Sequence, residues 1–200
     1  LKDYTSTDQS QNLQPKDVVL YGFGRIGRLV ARELVKQAGK GQQLRLRAIV
    51  TRNTSEAQLI KRTALLKNDS VHGAFEGTVK LDLEAKTLII NGQIVKMIEA
   101  SNPEEIDYTQ YGIKDALLID NTGVFKDRDS LGRHLKGKGV AKVLLTAPAK
   151  GDIPNIVYGI NHGTLDLDHE TIFSAASCTT NAITPVLKTI EDNFEIVKGH

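Results

Sequence analysis

Short apolar runs alternate along this chain with longer stretches in which apolar residues return every three or four positions. Val18, Val19, Leu20 and Tyr21 form the first run and predict a buried strand. Over residues 25–38, Ile26, Leu29, Val30 and Leu34 recur at helical spacing, and Gly39, Lys40 and Gly41 predict its stop. Residues 44–50 predict a second strand, so the order strand, helix, strand implies parallel pairing through a right-handed crossover. Ser55 and Glu56 then open a predicted helix carrying Leu59, Ile60, Leu65 and Leu66.

From residue 78 to residue 99 the period shortens to two. Val79, Leu81 and Leu83 alternate, residues 87–90 are rich in strand formers, and Asn91-Gly92 predicts a tight hairpin before residues 93–98. Residues 116–119 and 142–145 return to short buried strands, separated by a predicted helix over residues 130–136. Val157-Tyr158 and Thr171-Ile172-Phe173 are two further strand candidates. The last helix is predicted to start at Cys178, with Ile183, Val186, Leu187 and Ile190 on one face and Phe194 below. The sum is an open α/β sheet of the doubly wound, mostly parallel kind.

Charge and composition narrow the partners. The 200 residues hold 26 basic and 24 acidic side chains, a net +2, which supplies neither the counterion release of a nucleic-acid binder nor a polybasic membrane anchor. No apolar window approaches the length of a membrane span, and no metal site is predicted. A single cysteine, Cys178, forms no internal disulfide and fits a reducing, cytoplasmic setting. Residues 1–17 are a polar leader without apolar periodicity, and a chain opening on Leu1 is expected to be a piece of a longer one.

Two segments carry candidate chemistry. Gly22-Phe23-Gly24-Arg25-Ile26-Gly27 fits G-x-G-x-x-G where a predicted strand enters a predicted helix. Gly22 would allow the tight turn, Gly24 the close approach of a pyrophosphate, and Gly27 close packing of helix on strand, with the helix N-terminus facing the anion. The plain alternative is an ordinary strand-to-helix turn. The second strand ends in Val50-Thr51-Arg52, without the acid that accepts from a ribose diol; an arginine there suits a 2′-phosphate, so NADP is expected to bind at least as well as NAD. The alternative is that Arg52 is only a surface charge.

Ser177-Cys178-Thr179-Thr180-Asn181 opens the last helix, with Ser177 at the N-cap. A thiol in the first turn feels the positive helix end, which favours the thiolate and makes a nucleophile; the alternative is a small buried core residue. None of His72, His134, His162, His169 and His200 is marked as a base by its spacing. His134 is expected on the outward, polar face of its helix.

Taken together these motifs resemble the phosphorylating glyceraldehyde-3-phosphate dehydrogenase family. Residues 21–28 resemble its opening loop and Asp69-Ser70-Val71-His72-Gly73 its D-S-x-H-G segment. Thr122-Gly123-Val124-Phe125, Thr146-Ala147-Pro148, Gly159-Ile160-Asn161-His162 and the cysteine motif follow in the same order, from about Val18 to the end. The resemblance implies a Rossmann-type domain over residues 18–177 that binds NAD or NADP, and a nucleophile helix over residues 178–200 that begins a second, catalytic domain. It implies that Cys178 attacks glyceraldehyde 3-phosphate to form a hemithioacetal. Oxidation then gives a thioester, which phosphate converts to 1,3-bisphosphoglycerate. Ser177 and Thr179 match phosphate-site positions. Gly22, Phe23, Gly24, Arg25 and Ile26 match the cofactor loop, and Thr122, Gly123, Phe125, Thr146 and Ala147 match residues along the dinucleotide. A homotetramer is also implied.

Departures bear on cofactor choice. Tyr21 stands where the family usually has asparagine, Thr51 where it has the ribose-binding aspartate, and Ser101 where it often has an arginine; Ala182 replaces a second, non-nucleophilic cysteine. The family's general-base histidine and substrate-phosphate residues fall beyond His200. Loss of such a base costs roughly 10²–10⁴-fold. Erythrose-4-phosphate oxidation and a non-catalytic NAD(P)-binding module are the alternatives, the second applying to a chain that truly ends at His200.

Overall fold

A computed structural model of the chain describes residues 15–38 and 44–199. The glycine stop at 39–41, most of the polar leader and His200 lie outside the described residues. The leader's last two residues belong to the fold. Lys16 and Asp17 open strand β1 (Lys16–Tyr21), where Asp17, nearly buried, accepts from Arg45 at 2.8 Å. An acid there reads as solvated tail because the arginine that pairs with it comes from the neighbouring strand.

Helix α1 (Arg25–Gln37) leads to β2 (Leu44–Thr51), and α2 (Glu56–Lys67) to a two-stranded ladder of β3 (Asn68–Asp69) and β4 (Gly73–Ala74). The antiparallel excursion follows as β5 (Val79–Asp82), β6 (Thr87–Ile90) and β7 (Gln93–Glu99). Its hairpin turns on Asn91 and Gly92, both at positive φ, as a two-residue primed turn requires. The chain then crosses to β8 (Ala116–Asp120), α3 (Arg128–Leu135), β9 (Val140–Leu145), β10 (Ile172–Ser174) and α4 (Cys178–Asn193).

The large sheet runs in the order β10-β9-β8-β1-β2-β7-β6-β5, parallel from β10 to β7. Strand order therefore reverses between β1 and β8, the point at which doubly wound sheets open a crevice beyond their carboxyl ends. Both sheet faces are covered. Val18 and Leu20 face a cluster with Ala31 and Val35 of α1 and Leu59 and Leu66 of α2; Val19 and Tyr21 face one containing Leu131 of α3. Val18, Val19 and Leu20 have no exposed surface, each contributing about 1.5–3 kcal/mol of burial.

Several expectations change. Val157-Tyr158 is not a strand. Only Asn155 bridges to Ser174, after which the chain turns through Gly159 at positive φ and leaves Tyr158 83% exposed. Ile26 and Ile60 lie on the outer sides of their helices; the small Gly27 and Ala31 and the polar Thr63 occupy the inner faces, because the helices pack close to the sheet. His134 points inward, not outward. The capping box of Asp127 and Ser130 starts α3 two residues earlier than expected, and this phase turns both Leu131 and His134 to the sheet.

Candidate functional site

The register aligns the carboxyl ends of the parallel strands. Ser174 pairs with Leu145, Leu145 with Asp120, Asp120 with Tyr21, Tyr21 with Val50, and Val50 with Ile98. Every segment with candidate chemistry leaves this one edge. From β1 to β10 is three interstrand steps, roughly 14 Å at about 4.8 Å each.

The glycine loop is built as its sequence requires. Gly22 has φ +93°, and a side chain there would meet Thr122 Cγ2 at 2.9 Å; its N–H donates to the Val50 carbonyl at 2.9 Å. At Gly27 a Cβ would stand 2.3 Å from the Gly22 carbonyl oxygen, so helix and loop touch through backbone. Gly24, the N-cap of α1, has open space where a side chain would sit, and no side chain caps the helix. The free N-terminal N–H groups and the space before them fit a pyrophosphate. Phe23 is buried, and its carbonyl accepts from Arg62 at 3.2 Å and Arg28 at 3.4 Å.

A cleft of about 350 Å³ lies beyond the switch point. Gly22, Phe23, Gly24, Thr51, Arg52, Thr122 and Phe125 line it together, as do five residues that the sequence had given no site role: Val50, Arg62, Ala100, Asn121 and Val124. Departure residues Tyr21 and Ser101 are on its wall too. Arg25 and Ile26 turn elsewhere. Arg25 reaches Ser70 Oγ at 2.7 Å and Asp69 at 3.4 Å, joining the loop to the D-S-V-H-G segment. The Val71 and His72 N–H groups and the His72 ring hold the Asp69 carboxyl well below the usual carboxylate range.

Beneath the cleft lies a buried pair. Asp120 Oδ2 is 2.8 Å from His134 Nε2, both without exposed surface, while Asp120 Oδ1 accepts from the Thr122 N–H and hydroxyl at 2.7 Å each. The Tyr21 ring packs edge-on against His134 at 4.6 Å, and Phe125 against it at 5.3 Å. Burial, and Asp120 after it, push the Tyr21 hydroxyl above its usual range. An acid ending an otherwise apolar strand was the available signal for this pair, since a carboxylate at such a position needs a partner.

Thr146 and Ala147 connect the cleft to the cysteine. Thr146 Oγ1 lies 3.0 Å from the Asp120 carbonyl and 3.2 Å from Asn121 Oδ1. Ser174 Oγ, fully buried, lies 2.7 Å from both the Ala147 carbonyl and Asn155 Oδ1 and accepts the Ala176 N–H at 3.0 Å. That brace holds Ala176 at φ +58°, a left-handed conformation costing about 1–3 kcal/mol for a non-glycine residue. Ser177 caps α4 by accepting the Thr180 N–H at 2.9 Å, and its Oγ is 3.0 Å from Thr179 Oγ1. Asn181 donates to the Ala175 and Ser177 carbonyls. Cys178 is exposed at the first helical position, so it is not a core residue. Ser174, Asn155 and Ala176 carried no sequence signal, because their function is a contact between strands.

A sequence model described as "Glyceraldehyde 3-phosphate dehydrogenase, NAD binding domain" matches residues 16–128, more than half of the chain. The "Glyceraldehyde-3-phosphate dehydrogenase-like protein" of Pseudomonas aeruginosa is 58% identical over 184 residues, 92% of this chain and 40% of that protein. The "Glyceraldehyde-3-phosphate dehydrogenase" of Chlamydia pneumoniae is 36% identical over 91% of this chain and 51% of its own length. "Glyceraldehyde-3-phosphate dehydrogenase A, chloroplastic" of Zea mays is 38% identical over 91% and 43%. The chain thus spans about half the length, or less, of these curated relatives. Among the described residues no helix is long and apolar enough to cross a membrane. With a glycine loop shaped for NAD or NADP at the switch point, the chain belongs to the glyceraldehyde-3-phosphate dehydrogenase family.

Proposed function

We propose that the protein oxidises glyceraldehyde 3-phosphate to 1,3-bisphosphoglycerate, with Cys178 as nucleophile. The observation that carries this reading is the exposed Cys178 at the capped start of α4, on the sheet edge that also bears the dinucleotide cleft. The thiolate adds to the aldehyde carbon, and the carbonyl oxygen takes up a proton to give a hemithioacetal. Bound NAD or NADP would supply the hydride acceptor, and the hemithioacetal hydroxyl gives up its proton to solvent as its C–O bond becomes the thioester carbonyl. Inorganic phosphate cleaves the resulting Cys178 thioester; the acyl group passes to phosphate and the thiolate is restored. Ser177 and Thr179, with hydroxyls 3.0 Å apart at the helix N-terminus, offer donors for a phosphate. The dinucleotide is held by the loop at Gly22 and Gly24, which Gly27 lets α1 approach, with Thr122 and Phe125 across the cleft. A tetramer in the cytoplasm completes the proposal.

The test is steady-state oxidation of glyceraldehyde 3-phosphate by the intact protein with phosphate present, set against erythrose 4-phosphate. Faster turnover of the three-carbon aldehyde is expected, falling roughly 10⁴–10⁶-fold in Cys178→Ser, the scale of nucleophile deletions. Faster turnover of the four-carbon aldehyde rejects the substrate. Cofactor binding without turnover of either rejects the enzyme reading in favour of a binding module.

A further inference from the structure

We propose that Arg52 and Arg62 together clamp a phosphate on the 2′-position of the adenosine ribose, so that this cleft selects NADP over NAD. The inference rests on the dinucleotide reading of the cleft and adds its specificity. In a doubly wound sheet the ribose lies beyond the end of the strand next to β1, here β2. That strand ends in Thr51, whose hydroxyl is 3.1 Å from the Asn53 carbonyl. A threonine so engaged offers no anionic acceptor to a ribose diol. Glu99, paired with Thr51 in the register, is the neighbouring acid, but it accepts the Thr54 N–H at 2.9 Å and the Thr54 hydroxyl at 2.7 Å and does not line the cleft.

The cleft lining instead contains two arginines and no carboxylate. Arg52 is exposed and makes no ion pair among the described residues. Arg62 sits on the second turn of α2, half-buried; it donates to the Phe23 carbonyl and leaves its buried Nε without a partner. Burial, reinforced by the charge of Arg52, pulls the Arg62 guanidinium below its usual range, and Arg62 makes no ion pair among the described residues. Two cations converging on one cleft repel each other. A phosphate dianion between them removes that repulsion and accepts the planar, forked donors that arginine presents. Thr51 and Ser101 on the cleft wall carry no charge, so the charged groups facing the cleft are Arg52 after β2 and Arg62 from a different element, α2.

Titration calorimetry of the intact protein with NADP, NAD and the fragment 2′,5′-ADP tests this without turnover. Expected are NADP at least roughly tenfold tighter than NAD, and saturable binding of 2′,5′-ADP. In Arg62→Met and, separately, Arg52→Gln the NADP advantage should fall to about twofold or less while NAD affinity stays within about threefold. Arg52 is exposed, so its variant keeps the test alive if Arg62→Met does not fold. NAD binding as tightly as NADP overturns the clamp and leaves the dinucleotide site standing. Equal weakening of both cofactors in Arg62→Met also overturns it, since that is the signature of an arginine that merely holds the Phe23 carbonyl. Failure of both dinucleotides to bind overturns the underlying reading as well.

Discussion

Helices α1 and α4 both begin where a parallel strand leaves the same sheet edge and both point an N-terminus at a candidate ligand, α1 without a side-chain cap and α4 capped by Ser177, yet their first turns are held by different means. Helix α1 buries Gly27, Ala31 and Val35 against the sheet, and its first turn is fixed by backbone contact with the loop. Among the described residues nothing covers the apolar face of α4, where Ile183, Val186, Leu187 and Ile190 are 41–52% exposed, in a chain that spans about half the length, or less, of its relatives. The start of α4 is positioned by a hydrogen-bonded turn running from Ser174 through Ala176 to Ser177 and Asn181. Close packing fixes the cofactor end. Among the described residues polar bracing positions the nucleophile end, so changes there are expected to act on Cys178 reactivity more than on dinucleotide binding.

The difference can be broken from either side. The largest effect belongs to Asp120→Ala, which orphans His134 Nε2 and the Thr122 N–H under the cleft. Urea denaturation should show a loss of about 3–5 kcal/mol, as for other broken buried pairs; a loss below about 1 kcal/mol would mean the pair carries little. Next comes Gly27→Ala. Its Cβ cannot remain 2.3 Å from the Gly22 oxygen, so helix and loop must separate. About 1–3 kcal/mol of stability and roughly tenfold in dinucleotide affinity should go together.

Ser174→Ala acts on the other end. Leaving the Ala176 N–H unpaired costs about 1–2 kcal/mol, and alkylation of Cys178 should slow while dinucleotide affinity is unchanged. Equal changes in both readouts would erase the distinction drawn between the two helices. The smallest effect is confined to acid. Arg128 grips Glu170 through two hydrogen bonds of 3.0 and 2.9 Å and holds its carboxyl down at about 2. Because the folded value lies below the unfolded one of roughly 4.3, this contribution is full above that value and fades as pH falls toward 2. The stability gap between the native protein and Glu170→Gln, followed by thermal melts from pH 6 downward, should therefore close across that window.

The sheet was legible because its central strand is buried on both faces, so the run from Val18 to Tyr21 stands out without alternation, while β9 buries Val143 and Leu145 in turn. The glycine loop was legible for a steric reason, since each spacing matches a contact that excludes a side chain. His134 was not, because its burial depends on Asp120, fourteen residues away on another element. Val157 misled in the opposite sense. It is buried like a strand residue, but beneath a turn, where Asn161 Oδ1 accepts its N–H at 2.8 Å. Arg62 was hidden by amphipathicity itself, being a basic residue beside the inward Leu59, Thr63 and Leu66 that reads as ordinary helix surface.

The most direct test of a joined cofactor and nucleophile site is the rate at which iodoacetate alkylates Cys178 at neutral pH, measured with and without saturating dinucleotide and mapped by mass spectrometry. The account predicts alkylation well above that of a free thiol such as glutathione, and a clear change in rate once the cleft is filled. A rate equal to glutathione's, unaltered by dinucleotide, would contradict it.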